Sequence, residues 1–426
     1  MRTGAVLQWA FTKTPIPRRL PVRTTSLLRL LIGVTDLIVD TFSLETRGLV
    51  LDVRPRWRGP RCGGCGRLGP GYDCSGARLW RHLGIGDLKI WLRYAPRRVN
   101  CRRCGVRTER VPWADPASRF THDFEELAAY LVRATDQTAV THLLGIAWRT
   151  VGAIIGRVVG RRLDGGRLRG LRRIGIDEFS YRKRHRYLTL VVDHDRGRVV
   201  WAGPGKGAEA VSGFFRALGK DGCAALETVT MDMSGGYQKA LAEYAPQAAV
   251  VFDRFHVQRL ASEALDAVRR EQLREQRGTP EGRALFRSRF SLWKNPWNLD
   301  ARERRRLKAI ERSNRPLYRA YLLKESLARA LDYRQEWRAR RALKEWLGWA
   351  SRSRLPAFVK LARTIRKHLE GILAYVGERL TNGIVEGINT RLRMVARRAF
   401  GFHSPQALIA MLYLCCGGVR LEPRLP

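Results

Sequence analysis

Three carboxylates stand in segments suited to phosphodiester chemistry: Asp177 in IGIDEFSY, Asp232 in VTMDMSGGY and Glu386 in TNGIVEGINTRLR. Two lie at the ends of apolar strand-like runs, the third in a late helix. Acids so placed can hold two metal ions, which activate water or a 3′-hydroxyl and stabilise in-line displacement at phosphorus. RIGIDEFS alternates so that Ile174, Ile176 and Glu178 fall on one face, Gly175 and Asp177 on the other. A carboxylate on a central strand is costly unless it is paired or metal-bound. Asp232 closes TVTMD just before Ser234-Gly235-Gly236, where α/β sheets place ligand sites. Any one of these acids alone reads as a solvated or ion-paired residue. Glu178, Asp193 and Asp195 are alternatives by type, so the choice rests on the three segments together.

Other residues could serve the same centre. Asp253 and His256 in VVFDRFHV are either accessory to the acids or, for Asp253, a helix N-cap. Arg391, Arg393, Arg397 and Arg398 follow Glu386 and suit phosphates flanking a scissile bond. Trp293, Trp297, Trp337, Trp346 and Trp349 could stack on an exposed base, but most are expected to pack in the core or between helices.

Two CxxC pairs, Cys62/Cys65 and Cys101/Cys104, are each followed by glycine. Two such knuckles complete one tetrahedral zinc site, with Zn–S near ~2.3 Å, and that ion is structural. Cys74 and His82 are expected to be structural rather than ligands. In TAVTHLLGIAWRTVGAIIGRVV, the spacing of Val140, Leu144, Ile146, Val151 and Ile154 fits a helix-turn-helix turning at Gly145. Arg149 and Thr150 then open a recognition helix that could reach DNA. An ordinary helical pair is the alternative, and Thr141 occupies a position where alanine is usual.

The composition agrees with a polyanionic partner. Lys and Arg number 80 against 39 Asp and Glu, for a net charge of +41 spread along the whole chain. Folded surfaces must carry this charge, which points to nucleic acid before a membrane surface. No apolar stretch reaches the ~18–20 residues of a spanning helix, and no amphipathic anchor is evident. The basic start, broken by Pro15, Pro17 and Pro21, makes a poor secretory signal and reads as a loose leader or an upstream start codon. Eight cysteines in such a chain suggest metal ligands and buried thiols, hence a cytoplasmic setting.

The elements that must position these residues follow from hydrophobic periodicity. Residues 1–25 form the leader and 26–110 a zinc-binding module. The helix-turn-helix domain occupies 111–165. From 172 to 260, three strands in series precede alternating helices and strands, the order of an RNase H-like sheet. A basic, tryptophan-rich helical insertion fills 261–375, and 376–420 completes the sheet domain. The expected fold class is thus α/β: an RNase H-like mixed sheet interrupted by an all-α insertion, preceded by a zinc-ribbon-like module and a helix-turn-helix.

Taken together, the knuckles, the helix-turn-helix, IGIDEFSYRKRHRYLTLVVD, VTMDMSGGYQKAL, VVFDRFHV, FSLWKNPWNL and TNGIVEGINTRLRMVARRAFGF resemble transposases of the ISL-three insertion-sequence family. The likeness runs from about Ser26 to Gly418. It implies a DDE catalytic domain in which Asp177, Asp232 and Glu386 bind two Mg²⁺ ions, with Mn²⁺ able to substitute. The interval 386 − 232 = 154 fits a helical insertion before the last acid. VVFDRFHV is also similar to the Asp-x-x-His motif of related DDE transposases. The implied activity is cleavage at terminal inverted repeats and joining of 3′-hydroxyls to target DNA, by a homodimer or higher oligomer. Two rivals are a DNA-binding regulator on an inactive nuclease fold and a structure-specific nuclease.

Overall fold

The structure is a computed structural model that describes residues 23–424, apart from 183–185, 234, 287, 379, 381–382, 400–401 and 403. The leader up to residue 22, Ser234 and Asn382 therefore lie outside the described residues. The chain forms two compact units, one of residues 1–134 with 421–426 and one of residues 135–420.

In the first unit, helix α1 (Thr24–Ile32) leads into strands β1 (Leu37–Glu45) and β2 (Gly48–Pro55). Their antiparallel hairpin turns at Gly48, whose φ of +123° favours glycine. Strands β3 (Gly71–Cys74), β4 (Arg78–Arg81), β5 (Ile90–Tyr94), β6 (Arg97–Cys101) and β7 (Gly105–Thr108) follow, then helix α2 (His122–Ala134). A four-stranded sheet has the order β1-β2-β5-β4, and a three-stranded sheet has the order β3-β6-β7. The antiparallel β4–β5 hairpin lies between the two knuckles. Trp113 packs edge-on against both Trp80 and Tyr94, each at 5.7 Å. Glu109 is buried and fully bonded: it accepts from Tyr94 Oη (2.7 Å), Arg97 N (2.7 Å) and Arg97 Nη2 (2.9 Å).

The second unit opens with α3 (Gln137–Leu144) and α4 (Trp148–Arg162). Strands β8 (Arg173–Arg182), β9 (Arg186–Asp193) and β10 (Arg198–Pro204) come next, followed by α5 (Ala208–Ala224), β11 (Thr228–Met231), α6 (Gly235–Tyr244) and β12 (Ala249–Phe252). The sheet order is β10-β9-β8-β11-β12, antiparallel as far as β8 and parallel beyond it. This is the expected RNase H-like order.

The insertion is helical: α7 (Arg254–Glu275), α8 (Pro280–Phe286), α9 (Arg289–Trp293), α10 (Ala301–Ser313), α11 (Arg315–Ala330), α12 (Glu336–Ser351), α13 (Pro356–Lys367) and α14 (Leu369–Glu378). One continuous apolar core runs from Ile174, Ile176 and Phe214 in the sheet region to Leu327, Trp346 and Phe358 in the insertion. The insertion is thus anchored by the same burial that stabilises the sheet. Helices α15 (Gly383–Arg398) and α16 (Pro405–Cys416) complete the unit. The apolar run of α16 packs against α4 and the edge strand β10, where Tyr413 Oη accepts from Ala202 N at 3.1 Å.

The tryptophans correct one expectation. Of the five in the insertion, only Trp346 is buried, with its Nε1 donating to Leu323 O at 2.8 Å. Trp293, Trp297, Trp337 and Trp349 are exposed.

Candidate metal centre and acidic site

The four predicted cysteines converge. The Sγ atoms of Cys62, Cys65, Cys101 and Cys104 all lie within 4.8 Å of one another. A tetrahedron with Zn–S of ~2.3 Å has edges of about 3.8 Å, and Cys65 and Cys101 already stand 3.6 Å apart. Glycine closes each knuckle: Gly66 (φ +72°) and Gly105 (φ +71°) are left-handed, and a Cβ on Gly63 would lie 2.4 Å from Thr108 O. Among these thiols, backbone N–H groups of Arg103 and Cys104 lower the pKa of Cys101, while hydrogen bonding with Cys65 raises that of Cys104, as expected of sulfurs crowded together. Cys74 is exposed and outside the cluster. His82 is buried, with Nδ1 2.9 Å from Thr121 Oγ1. Both stand apart from the metal centre.

Helices α3 and α4 meet across Gly145 (φ +56°) with a bend of 101°. Val140, Val151 and Ile154 are fully buried; Leu144 and Ile146 are half-buried. Asp136 caps α3 by accepting from Ala139 N at 2.8 Å. The misfitting Thr141 satisfies its hydroxyl locally, donating to Thr138 O at 2.7 Å. Arg149 is exposed and Thr150 half-buried on the first turn of α4. Among the described residues, no single helix is long and apolar enough to cross a membrane.

The acids are positioned by register. Strand β11 runs parallel to β8 with Thr230 beside Gly175, and parallel to β12 with Met231 beside Phe252. Asp177 lies mid-strand in β8, while Asp232 and Asp253 follow the ends of β11 and β12; those registers, extended by two residues and by one, would bring the three acids side by side. Burial raises the pKa of Asp177, and the charge of Asp232 raises it further. Against this, Glu178 N donates to Asp177 Oδ1 at 2.7 Å, and His256 and Asn389 also favour the carboxylate.

Helix α15 reaches this edge because residue 175 is glycine. A Cβ there would lie 2.6 Å from Val385 Cγ2, 2.9 Å from His194 Nε2 and 3.0 Å from Thr230 Oγ1. One turn beyond Val385, Asn389 Nδ2 donates to Asp177 Oδ2 at 2.6 Å. Glu386, three residues before Asn389, neighbours it on the helix surface and is exposed. Among the described residues the cysteine cluster is the one gathering of three or more ligand atoms within 4.8 Å. The three acids are more widely spread. Two-metal centres separate their ions by ~3.5–4 Å, so their ligands need not share one ion's shell.

Asp253 N-caps α7, accepting from Phe255 N at 3.3 Å. The capping role is therefore real, while His256 lies close enough for its charge to lower the pKa of Asp177. Glu178 is a further acid of the edge. Burial raises its pKa, as do the charges of Asp232 and Asp177, while a hydrogen bond from Tyr237 and the charge of Lys206 lower it. Tyr237 is buried, with Oη 3.2 Å from Thr189 Oγ1. Asn389 and Tyr237 were not selected from the sequence, since neutral side chains carry no signal until a partner is known.

Comparison with known proteins agrees with this architecture. Residues 58–104 match the zinc finger of the IS204/IS1001/IS1096/IS1165 transposases, and residues 109–159 match the helix-turn-helix domain of transposase family ISL3. Residues 174–412, more than half the chain, match the ISL3 DDE domain, described as a transposase. The chain belongs to the ISL3 family of transposases. It is 39% identical over 439 residues to the Mycobacterium tuberculosis transposase for insertion sequence element IS1557, covering 95% of this chain and 98% of that protein. It is 31% identical over 372 residues to the Bordetella parapertussis transposase for IS1001, covering 84% and 89%. The cysteine cluster is accordingly the metal centre of a zinc ribbon.

Proposed function

We propose that this transposase binds the terminal inverted repeats of an insertion sequence, cleaves phosphodiester bonds at the element ends and joins the freed 3′-hydroxyls to target DNA. Asp177, Asp232 and Glu386 would hold two divalent cations, Mg²⁺ or Mn²⁺. Those ions, when bound, supply Lewis-acid activation of the attacking oxygen and neutralise charge at the phosphorus. The observation that carries this reading is the approach of α15 to β8. It sets Asn389 on Asp177 and Glu386 one turn away, at the edge where Asp232 and Asp177 already repel. The charge of Asp232 acts against ionisation of both Asp177 and Glu178, an arrangement that a bound cation would relieve.

Asn389 and Glu178 N–H would orient the Asp177 carboxylate, and His256 would adjust its charge. Attack comes from water or a DNA 3′-hydroxyl, so no covalent protein–DNA intermediate is needed. Arg391, Arg393, Arg397 and Arg398, exposed along α15, would grip flanking phosphates. The zinc module (26–110) and helix-turn-helix domain (111–165) would recognise the repeats, with Arg149 and Thr150 at the DNA surface. The catalytic domain (172–260 and 376–420) with its insertion (261–375) would act on them, in the cytoplasm at the nucleoid. Pairing of two ends predicts a homodimer or higher oligomer when synapsed.

The test is cleavage and strand transfer on labelled terminal-repeat DNA with Mg²⁺ or Mn²⁺, comparing wild type with Asp232→Asn. Metal-dependent products that vanish in the variant support the proposal. Specific binding without products gives the regulator reading, and cleavage without transfer the nuclease reading.

A further inference from the structure

Four arginines, Arg196, Arg198, Arg391 and Arg420, line one open cavity of about 600 Å³, together with Ile388 and Gly418. It lies between the β9–β10 turn, helix α15 and the chain following α16. None of its lining residues is acidic. Three of the guanidinium groups are held in place. Arg196 Nη1 donates to Arg169 O at 3.1 Å and pairs with Asp193 at 3.3 Å. Arg198 Nη2 donates to Asp164 Oδ2 at 3.1 Å, and Arg391 Nη1 to Cys415 O at 3.3 Å.

Two features show that the cavity is built rather than incidental. Gly418 has φ +78°, and a Cβ there would lie 3.1 Å from Arg198 Cδ and 3.3 Å from Arg198 Nη1, so glycine admits the side chain. Arg198 Nε is buried without a hydrogen-bond partner. An unmet guanidinium N–H costs free energy unless an acceptor arrives. The charge points the same way: four cations meet two flanking acids, Asp164 and Asp193, leaving an excess of 4 − 2 = 2. Such an excess around one cavity is relieved by an anion with several oxygens.

We propose that this cavity binds a phosphate group, and that its source is the DNA backbone. Arg391 and Glu386 share helix α15 and are five residues apart, about 7.5 Å along its axis. Five residues also turn about 500°, so the two side chains leave α15 on different faces, and a phosphate seated here would belong to a stretch of strand that rounds the helix from the acids. The site would fix the strand's register, which Arg391 alone cannot do. The assignment to DNA rests on the function proposed above; the affinity for phosphate does not.

The test uses the full-length protein and the double variant Arg391→Gln/Arg420→Gln, neither residue of which joins an ion pair among the described residues. Melting in phosphate-free buffer establishes folding; if the double variant melts early, Arg420→Gln alone carries the comparison. Inorganic phosphate, at ionic strength matched with chloride, should raise the melting temperature of wild type and leave the variant unmoved. On duplexes of the element's own end and of scrambled sequence, the variant should bind roughly tenfold more weakly at ~0.1 M salt. The slope of log K against log salt should fall by about 0.9 for each DNA phosphate no longer neutralised, equally on both sequences. A lost phosphate response with an unchanged DNA slope would overturn the DNA assignment in favour of a free-phosphate site. If neither quantity moves, the proposal is wrong. Asp232→Asn should keep the wild-type slope while losing cleavage. If wild type cuts nothing but the slope still depends on Arg391 and Arg420, the phosphate site stands and the catalytic proposal falls.

Discussion

Asn389 Nδ2 donates to Asp177 Oδ2 at 2.6 Å, across 212 positions of sequence. That bond joins the last helix of the acidic site to the central strand of the sheet. It also opposes the burial that raises the pKa of Asp177. Replacing Asn389 with Ala should therefore shift the acid limb of the pH–rate profile to higher pH, because Asp177 loses a donor to its charged form. Activity at neutral pH should fall roughly 10–100-fold, the scale of losing a ligand-orienting partner. Cleavage rates across pH, alongside a melting curve, would check both; an unmoved limb would deny Asn389 this role.

Gly175 sets how closely α15 can approach. Gly175→Ala places a methyl 2.6 Å from Val385 Cγ2 and 2.9 Å from the His194 ring. Overpacking of this kind costs about 1–3 kcal/mol, and the helix carrying Glu386 must shift. We expect cleavage to drop further than stability does, with Val385→Ala partly restoring both in the double variant. Independent, additive losses would argue against a shared contact.

His82 gives the first unit a pH dependence. Burial lowers its pKa to about 4 from an ordinary 6.5, with the charge of Arg424 adding to the effect. The folded state favours the neutral ring, so the stabilisation is complete above pH ~6.5 and is lost as pH falls towards 4. The total is about 3 kcal/mol on the scale of 1.36 kcal/mol per unit. Chemical denaturation between pH 4 and 7 should show this slope in wild type, and His82→Gln should flatten it.

The zinc ribbon should hold one ion per chain. Elemental analysis of purified protein should give one zinc, and Cys101→Ser should lose it and unfold the first unit at lower temperature. A thiol-reactive mercurial should release the ion only after the cysteines react. Full zinc content in Cys101→Ser would place the ion elsewhere.

The exposed tryptophans Trp297 and Trp337 can be replaced by Ala with little loss of stability, since neither is buried. Surface substitutions usually stay within ~0.5 kcal/mol. A loss of DNA cleavage without a loss of melting temperature would place them at the DNA; no change in either would leave them as surface.

What could be read directly from the sequence was chemistry expressed in local spacing. The CxxC pairs, the turn at Gly145 and the strand order from Arg173 to Phe252 follow from residue type and periodicity, while the choice of Asp177, Asp232 and Glu386 rests on their three segments taken together and on the family resemblance. Each depends on interactions between residues near in sequence, or on metal chemistry that permits few ligand types. The placement of the tryptophans did not follow, because helical spacing records a face without saying what covers it. The parallel register of β11 with β8 and β12, on which the placing of Asp177, Asp232 and Asp253 depends, pairs strands tens of residues apart. The same holds for Asn389 on Asp177, for the space Gly175 leaves to Val385, and for four arginines around one cavity. Contacts between distant segments are decided only when the whole core packs, and a single sequence carries no local signal for them.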